Sequence, residues 1–134
     1  MFDNQCWWIT GASSGIGEAI ARSAAASGAR LILSGRNVVE LERVADDCGA
    51  ANCLVLPFDT TNFATIPTLV QTALDWAGRI DCLLNNAGIS QRSLAVDTEF
   101  SVYEKIIAVD LLAPIALTQA VLPHMIEQIG RAHV

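Results

Sequence analysis

Charge is scarce in this chain. Of its 134 residues 16 % are charged, and eight Lys+Arg stand against fourteen Asp+Glu, a net charge of −6. Nucleic-acid binding leaves a basic stripe in a sequence, so that class of partner is not expected. The four cysteines, Cys6, Cys48, Cys53 and Cys82, form no C-x-x-C pair and have no histidine close by. Zinc needs clustered ligands, so no metal site is expected. The cysteines read instead as small buried hydrophobes in a reducing compartment. No apolar run reaches the ~18–20 residues that a membrane span needs. The start, Met1-Phe2-Asp3-Asn4-Gln5, lacks the basic residues that open a signal peptide. The expectation is one soluble, cytoplasmic domain with neither membrane nor nucleic acid as partner. What the chain does have is apolar surface: 52 % of its residues are hydrophobic. That is enough to offset the entropy of ordering, which excludes disorder.

Two kinds of segment alternate. Gln5–Thr10 is a short apolar strand. A glycine-rich turn follows, then a helix with Ile16, Ala19, Ile20, Ser23, Ala24 and Ser27 on one face and Gly28 at its end. Arg30–Ser34 is a second strand. Asn37 caps a second helix with the stripe Val38, Leu41, Val44, Ala45 and Cys48, stopped by Gly49. Cys53–Leu56 is a third strand, ending at Pro57. Thr61 or Asn62 opens a third helix with the stripe Ile66, Leu69, Val70, Ala73, Leu74 and Ala77, followed by Gly78. Ile80–Asn86 is a fourth strand, 87–98 a loop, and Glu99–Met125 a long helix that Pro114 should kink. Apolar strands each followed by a helix imply an α/β fold with a parallel sheet covered on both faces.

The first turn carries chemistry. Thr10-Gly11-Ala12-Ser13-Ser14-Gly15-Ile16-Gly17 joins strand to helix, with glycines at 11, 15 and 17. Glycine permits positive φ and close backbone approach, and a helix N-terminus offers unpaired N–H groups to a pyrophosphate. No G-K-[S/T] follows, so this is not a P-loop. A tight turn without a ligand is the plainer alternative. At the end of the second strand stand Ser34, Gly35 and Arg36. An acidic residue there would bond the adenosine 2′-hydroxyl of NAD. Arg36 repels no phosphate and can pair with one, which predicts NADP over NAD. The alternative is a solvated arginine at a strand end.

With its turn TGASSGIG and with Asn85-Asn86-Ala87-Gly88 ending the fourth strand, the chain resembles the short-chain dehydrogenases/reductases from about Gln5 to Glu127. Their motifs are T-G-x-x-x-G-x-G and N-N-A-G on these same elements. The resemblance implies a Rossmann-like doubly wound parallel sheet of order 3-2-1-4-5-6-7, truncated here after the fourth strand and the long helix. It implies that Gly11, Ser13, Ser14, Gly15, Ile16 and Gly17 cradle the dinucleotide. It places Asp59, with Thr60, at the adenine amino group, and Asn86, Ala87 and Gly88 along the ribose side. A plain helix-entry turn remains the other reading of Asp59-Thr60.

Asp110 interrupts the otherwise apolar run Ile106–Leu117. A helix apolar all round is expected to be buried, and a buried carboxylate must find partners. It is either a structural Asp near the Pro114 kink or a functional one. The resemblance implies a catalytic role, because family members carry Asn here to hold a water in a proton relay. Asp accepts where Asn also donates, so the role would fall to the backbone carbonyl.

The family's reaction transfers a hydride between a nicotinamide cofactor and an alcohol or carbonyl substrate. It needs a Ser and a Tyr-x-x-x-Lys pair beyond the long helix. This chain's one tyrosine, Tyr103, and one lysine, Lys105, are two apart and precede Asp110. They read as surface and flanking residues of the helix, and the chain as given is expected to be an inactive part of a longer, homo-oligomeric enzyme. The alternatives are a non-catalytic dinucleotide-binding module and another nucleotide-crevice enzyme such as a methyltransferase. Residues 1–128 are expected to belong to the dinucleotide-binding domain. Residues 129–134 do not resemble a fifth strand and are expected to be a non-native tail.

Overall fold

A computed structural model describes residues 1–132, with side chains through Gln128. Strand β1 (Cys6–Thr10) leads into helix α1 (Gly15–Ala26), and β2 (Arg30–Ser34) into α2 (Val38–Cys48). Strand β3 (Cys53–Val55) leads into α3 (Ile66–Ala77), and β4 (Cys82–Leu84) into α4 (Phe100–Ile107) and α5 (Ala113–Ala132). The four strands form one sheet in the order β3-β2-β1-β4, and every pairing is parallel. The third and fourth strands are shorter than the apolar runs suggest, because each lies at an edge and pairs on one side only.

Successive side chains of a strand point to opposite faces. On one face Cys6 and Trp8 of β1 and Ile32 of β2 pack with Ile66, Val70 and Ala73 of α3 and with Leu117 and Val121 of α5. On the other, Ile9, Leu31 and Leu33 pack with Ala21 and Ala24 of α1 and Leu41, Val44 and Ala45 of α2. Each large side chain so buried contributes about 1.5–3 kcal/mol. Trp8 is wholly buried, and its indole N–H donates to Ser34 Oγ at 2.8 Å, so the polar atom is not stranded.

Local signals act as expected. The Asn37 side chain accepts from the Glu40 N–H and caps α2, and Gly78 ends α3 in the left-handed region at φ +75°. All four cysteines are free; only Cys6 is buried as expected, while Cys48, Cys53 and Cys82 are half-buried, and burial pushes the thiols of Cys6 and Cys53 up to about 11. That keeps them protonated and unreactive.

Two expectations about the long helix need correction. Its turn ahead of Pro114 is not α-helical but widened: Ala108–Leu112 form a π-helical segment, and the Ala113 N–H donates to the Ala108 carbonyl five residues back. Pro114 has no N–H to offer the Asp110 carbonyl, and a widened turn relieves the clash that its ring would otherwise make. A second proline, Pro123, lies within α5. Nor does the absence of an uninterrupted apolar run exclude a membrane-length segment. By length and composition the helix Phe100–Gln128 is apolar enough to cross a membrane, since a few isolated charges break the run without lowering its average. One stripe of it, Val109, Ala113, Leu117 and Val121, is buried against the domain. Of the expected tail 129–134, residues through Ala132 continue α5, and the last two lie outside the described residues.

Candidate functional site

Four loops meet at the carboxyl ends of the strands, where open α/β sheets bind ligands. Hydrogen bonds stitch them together. Thr10 Oγ1 accepts from the N–H groups of Asn86 and Ala87, both at 3.0 Å, and so fixes the end of β4 against β1. The Asn86 side-chain amide donates to the Gly11 carbonyl at 3.1 Å. The Ala12 N–H reaches the Ser34 carbonyl, and the Phe58 N–H reaches that of Gly35. Between these loops lies a crevice of about 380 Å³.

The glycines of the first turn are required by two different constraints. Gly11, at φ +63°, lies so close to the segment after β4 that a Cβ would stand 2.9 Å from the Ala87 Cα. A Cβ on Gly17 would stand 2.2 Å from the Gly11 carbonyl oxygen, so the start of α1 can touch the turn only without a side chain there. Gly15 has φ +57° and open space on its Cβ side. Ser14 is the N-cap of α1, with extended backbone and no capping bond from its side chain. The first N–H groups of α1 therefore keep their capacity for an external anion. These features fit a dinucleotide diphosphate.

Of the residues singled out in the sequence, Gly11, Ser13, Ser14, Arg36, Asp59, Thr60, Asn86, Ala87 and Gly88 line the crevice. Gly15, Ile16 and Gly17 do not; they form the first turn of α1 behind it, and Ile16 is 72 % exposed. Asp59 Oδ1 accepts from the N–H and the hydroxyl of Thr61, at 2.9 and 2.7 Å. These two bonds hold its carboxyl below the usual range, against the opposing effect of burial, and the nearby charges of Arg36 and Lys105 lower it further.

Asp110 departs from expectation. It is exposed rather than buried, because only one stripe of the long helix faces the domain and residues 110–112 lie outside it. It does have a partner: its Oδ1 accepts from the Ile89 N–H at 2.8 Å. It thus latches the segment after β4 and does not itself line the crevice.

Lys105 was missed by sequence reasoning. It is an exposed residue of the long helix, as expected, but it also forms part of the crevice wall together with Ile89 and Val109. The signal was present in the helical period, because Lys105 precedes Val109 by one turn and both therefore share a face.

A doubly wound parallel sheet whose first glycine-rich turn opens a helix toward such a crevice is the Rossmann-like, dinucleotide-binding class of fold. The sequence model of the short chain dehydrogenase family matches residues 5–132. The chain belongs to the short-chain dehydrogenase/reductase family. It is 46 % identical over 127 residues to the human dehydrogenase/reductase SDR family member 7, covering 90 % of this chain and 38 % of that protein. It is 38 % identical over 135 residues to the zebrafish (Danio rerio) family member 7B, covering 94 % and 43 %. The chain therefore spans about two fifths of the length of these relatives. Among solved structures, a metagenomic short-chain oxidoreductase in complex with NADP superposes with a TM-score of 0.89 at 34 % identity, over 95 % of this chain and 59 % of that one. A 3-ketoacyl-(acyl-carrier-protein) reductase from Brucella melitensis complexed with NADH gives 0.93 at 31 %, over 98 % and 54 %.

Proposed function

We propose that this chain is the dinucleotide-binding part of an oxidoreductase that binds NADP(H) in preference to NAD(H) and acts on a small alcohol or carbonyl substrate. The observation that carries the reading is the crevice itself, lined by Gly11, Ser13 and Ser14 of the glycine turn and by Arg36. The cofactor would supply or take up the hydride. The residues of this chain bind and orient it. The N–H groups at the start of α1, with the Ser13 and Ser14 hydroxyls, hold the diphosphate. Arg36 pairs with the adenosine 2′-phosphate. Asp59 receives the adenine amino group, and Asn86, Ala87 and Gly88 face the ribose. Asp110 acts through Ile89, fixing the loop on which the ribose side depends.

The relatives' names support the oxidoreductase class, and the neighbours solved with NADP and with NADH support a nicotinamide cofactor of either kind. The preference for NADP rests on Arg36 and on the lack of any carboxylate at the end of β2. The test is a pair of dissociation constants, for NADPH and NADH, on a longer protein that includes this chain. NADPH is expected to bind at least ~10-fold more tightly, and Arg36→Ala to remove most of that difference. Tighter binding of NADH overturns the preference, and binding of neither overturns the site.

A further inference from the structure

The described basic residues divide into those already engaged within the chain and those that are not. Arg22 and Arg43 are held by Glu18, with Asp47 and Glu40 alongside. Arg79 pairs with Asp81. Arg30 donates to the Ala77 carbonyl and lies over the Trp76 ring. Arg36, Arg92 and Lys105 have no hydrogen-bond or ion-pair partner among the described residues, and of the three Arg36 and Lys105 stand on the wall of the same crevice.

The charged residues lining that crevice are Arg36, Asp59 and Lys105. Two cations against one carboxylate leave a local positive charge, in a chain whose net charge is −6. Such an inversion of sign inside a cleft favours an anion there. Asp110, the nearest carboxylate on the long helix to Gly88, lies off the wall with its Oδ1 committed to the Ile89 N–H. Arg36 follows β2 and Lys105 lies on α4, the helix that follows β4, and β2 and β4 flank β1 on opposite sides. Both cations share the crevice wall with Asp59, and the charge of each acts on its carboxyl.

We propose that Lys105 is a second cation for the adenosine 2′-phosphate, facing Arg36 across the crevice. This rests on the dinucleotide reading above and adds a determinant of cofactor choice to it. An ammonium on a flexible stem suits a phosphate approached from one side, while the guanidinium grips it from the other. Lys105 then contributes to NADPH binding and has no counterpart charge to meet in NADH.

The test measures dissociation constants for NADPH and NADH by calorimetry, on a longer protein that includes this chain. Wild type, Lys105→Met and Lys105→Arg are compared at low and high salt. Lys105→Met keeps the apolar stem and removes the charge. It is expected to weaken NADPH binding ~5–10-fold at low salt and NADH binding less than ~2-fold, with Lys105→Arg close to wild type. The NADPH difference should shrink at high salt. NADPH binding unchanged in Lys105→Met, or NADPH and NADH weakened equally, overturns the assignment while leaving the dinucleotide site intact. A wild-type protein that binds neither overturns the underlying reading and the role of Lys105 with it.

Discussion

Helices α1 and α2 bury small and branched side chains against the sheet and turn charge outward. Glu18, Arg22, Arg43 and Asp47 form a lattice across their outer surface, with exposed Ile16, Val38 and Val39 confined to their first turns. The long helix on the other flank also buries one stripe, but its opposite side is aliphatic. Ile107, Leu111, Leu112, Ile115, Leu122 and Ile126 are all exposed, and only Asp110, Gln119 and Pro123 interrupt them. The first flank is a finished surface, in which apolar inside and charged outside agree. The second is apolar on both sides among the described residues. Both flanks bury a core against the sheet, α1 and α2 on one face and α3 and α5 on the other, so they differ in their outer surfaces and not in what they bury.

The comparison breaks most sharply at the tryptophan between the layers. Trp8→Ala removes a wholly buried side chain and leaves Ser34 Oγ without its indole partner. It is expected to lower unfolding stability by about 3–5 kcal/mol, whereas Leu122→Ala on the exposed side of α5 changes it by less than about 0.5 kcal/mol. Urea titrations of this chain would show the contrast, and similar losses for the two variants would refute it. The next effect sets one glycine against another in the same turn. Gly17→Ala forces a Cβ into the Gly11 carbonyl and must push α1 away from the turn, at about 3 kcal/mol, with loss of dinucleotide affinity. Gly15→Ala meets no atom and pays only for its left-handed backbone, about 1–2 kcal/mol. Equal costs would mean that close approach is not what Gly17 provides.

Much of the fold was legible in the residues. The strand–turn–helix entry, the cap at Asn37 and the stop at Gly78 follow from local signals, and the 3-2-1-4 order from the family resemblance that the two motifs carry. Those signals act over a few residues and are written in glycine, asparagine and the 3.6-residue period. The long helix was less legible, because the same period cannot say which stripe is covered when every stripe is apolar. Asp110 was expected in the interior for that reason and lies on the surface. The π-helical widening before Pro114 depends on how a helix absorbs a missing N–H, for which a kink and a wider turn are equally open to the sequence. Lys105 was set aside because a lone lysine near a helix start is ordinarily solvated. Only the folded chain brings it to the crevice that Arg36 and Asp59 also line.

The smallest effect concerns the charge lattice that finishes the first flank. Hydrogen bonds from Arg43 and then Arg22 lower the Glu18 carboxyl to about 2 in the folded chain. The same group titrates near ~4.3 when unfolded. A carboxylate with a depressed folded value adds stability above the unfolded value and loses it as pH falls through the folded one. Wild type should therefore exceed Glu18→Gln in stability at pH 7, and the two should converge between about pH 4.3 and pH 2. The network is exposed, so the margin is small and should contract in high salt. Thermal melts of the two proteins across that range would decide it. A margin that persists at pH 2 would show that Glu18 acts through packing of its stem, and that the outer surface of α1 and α2 is held by contacts of the same kind as its core.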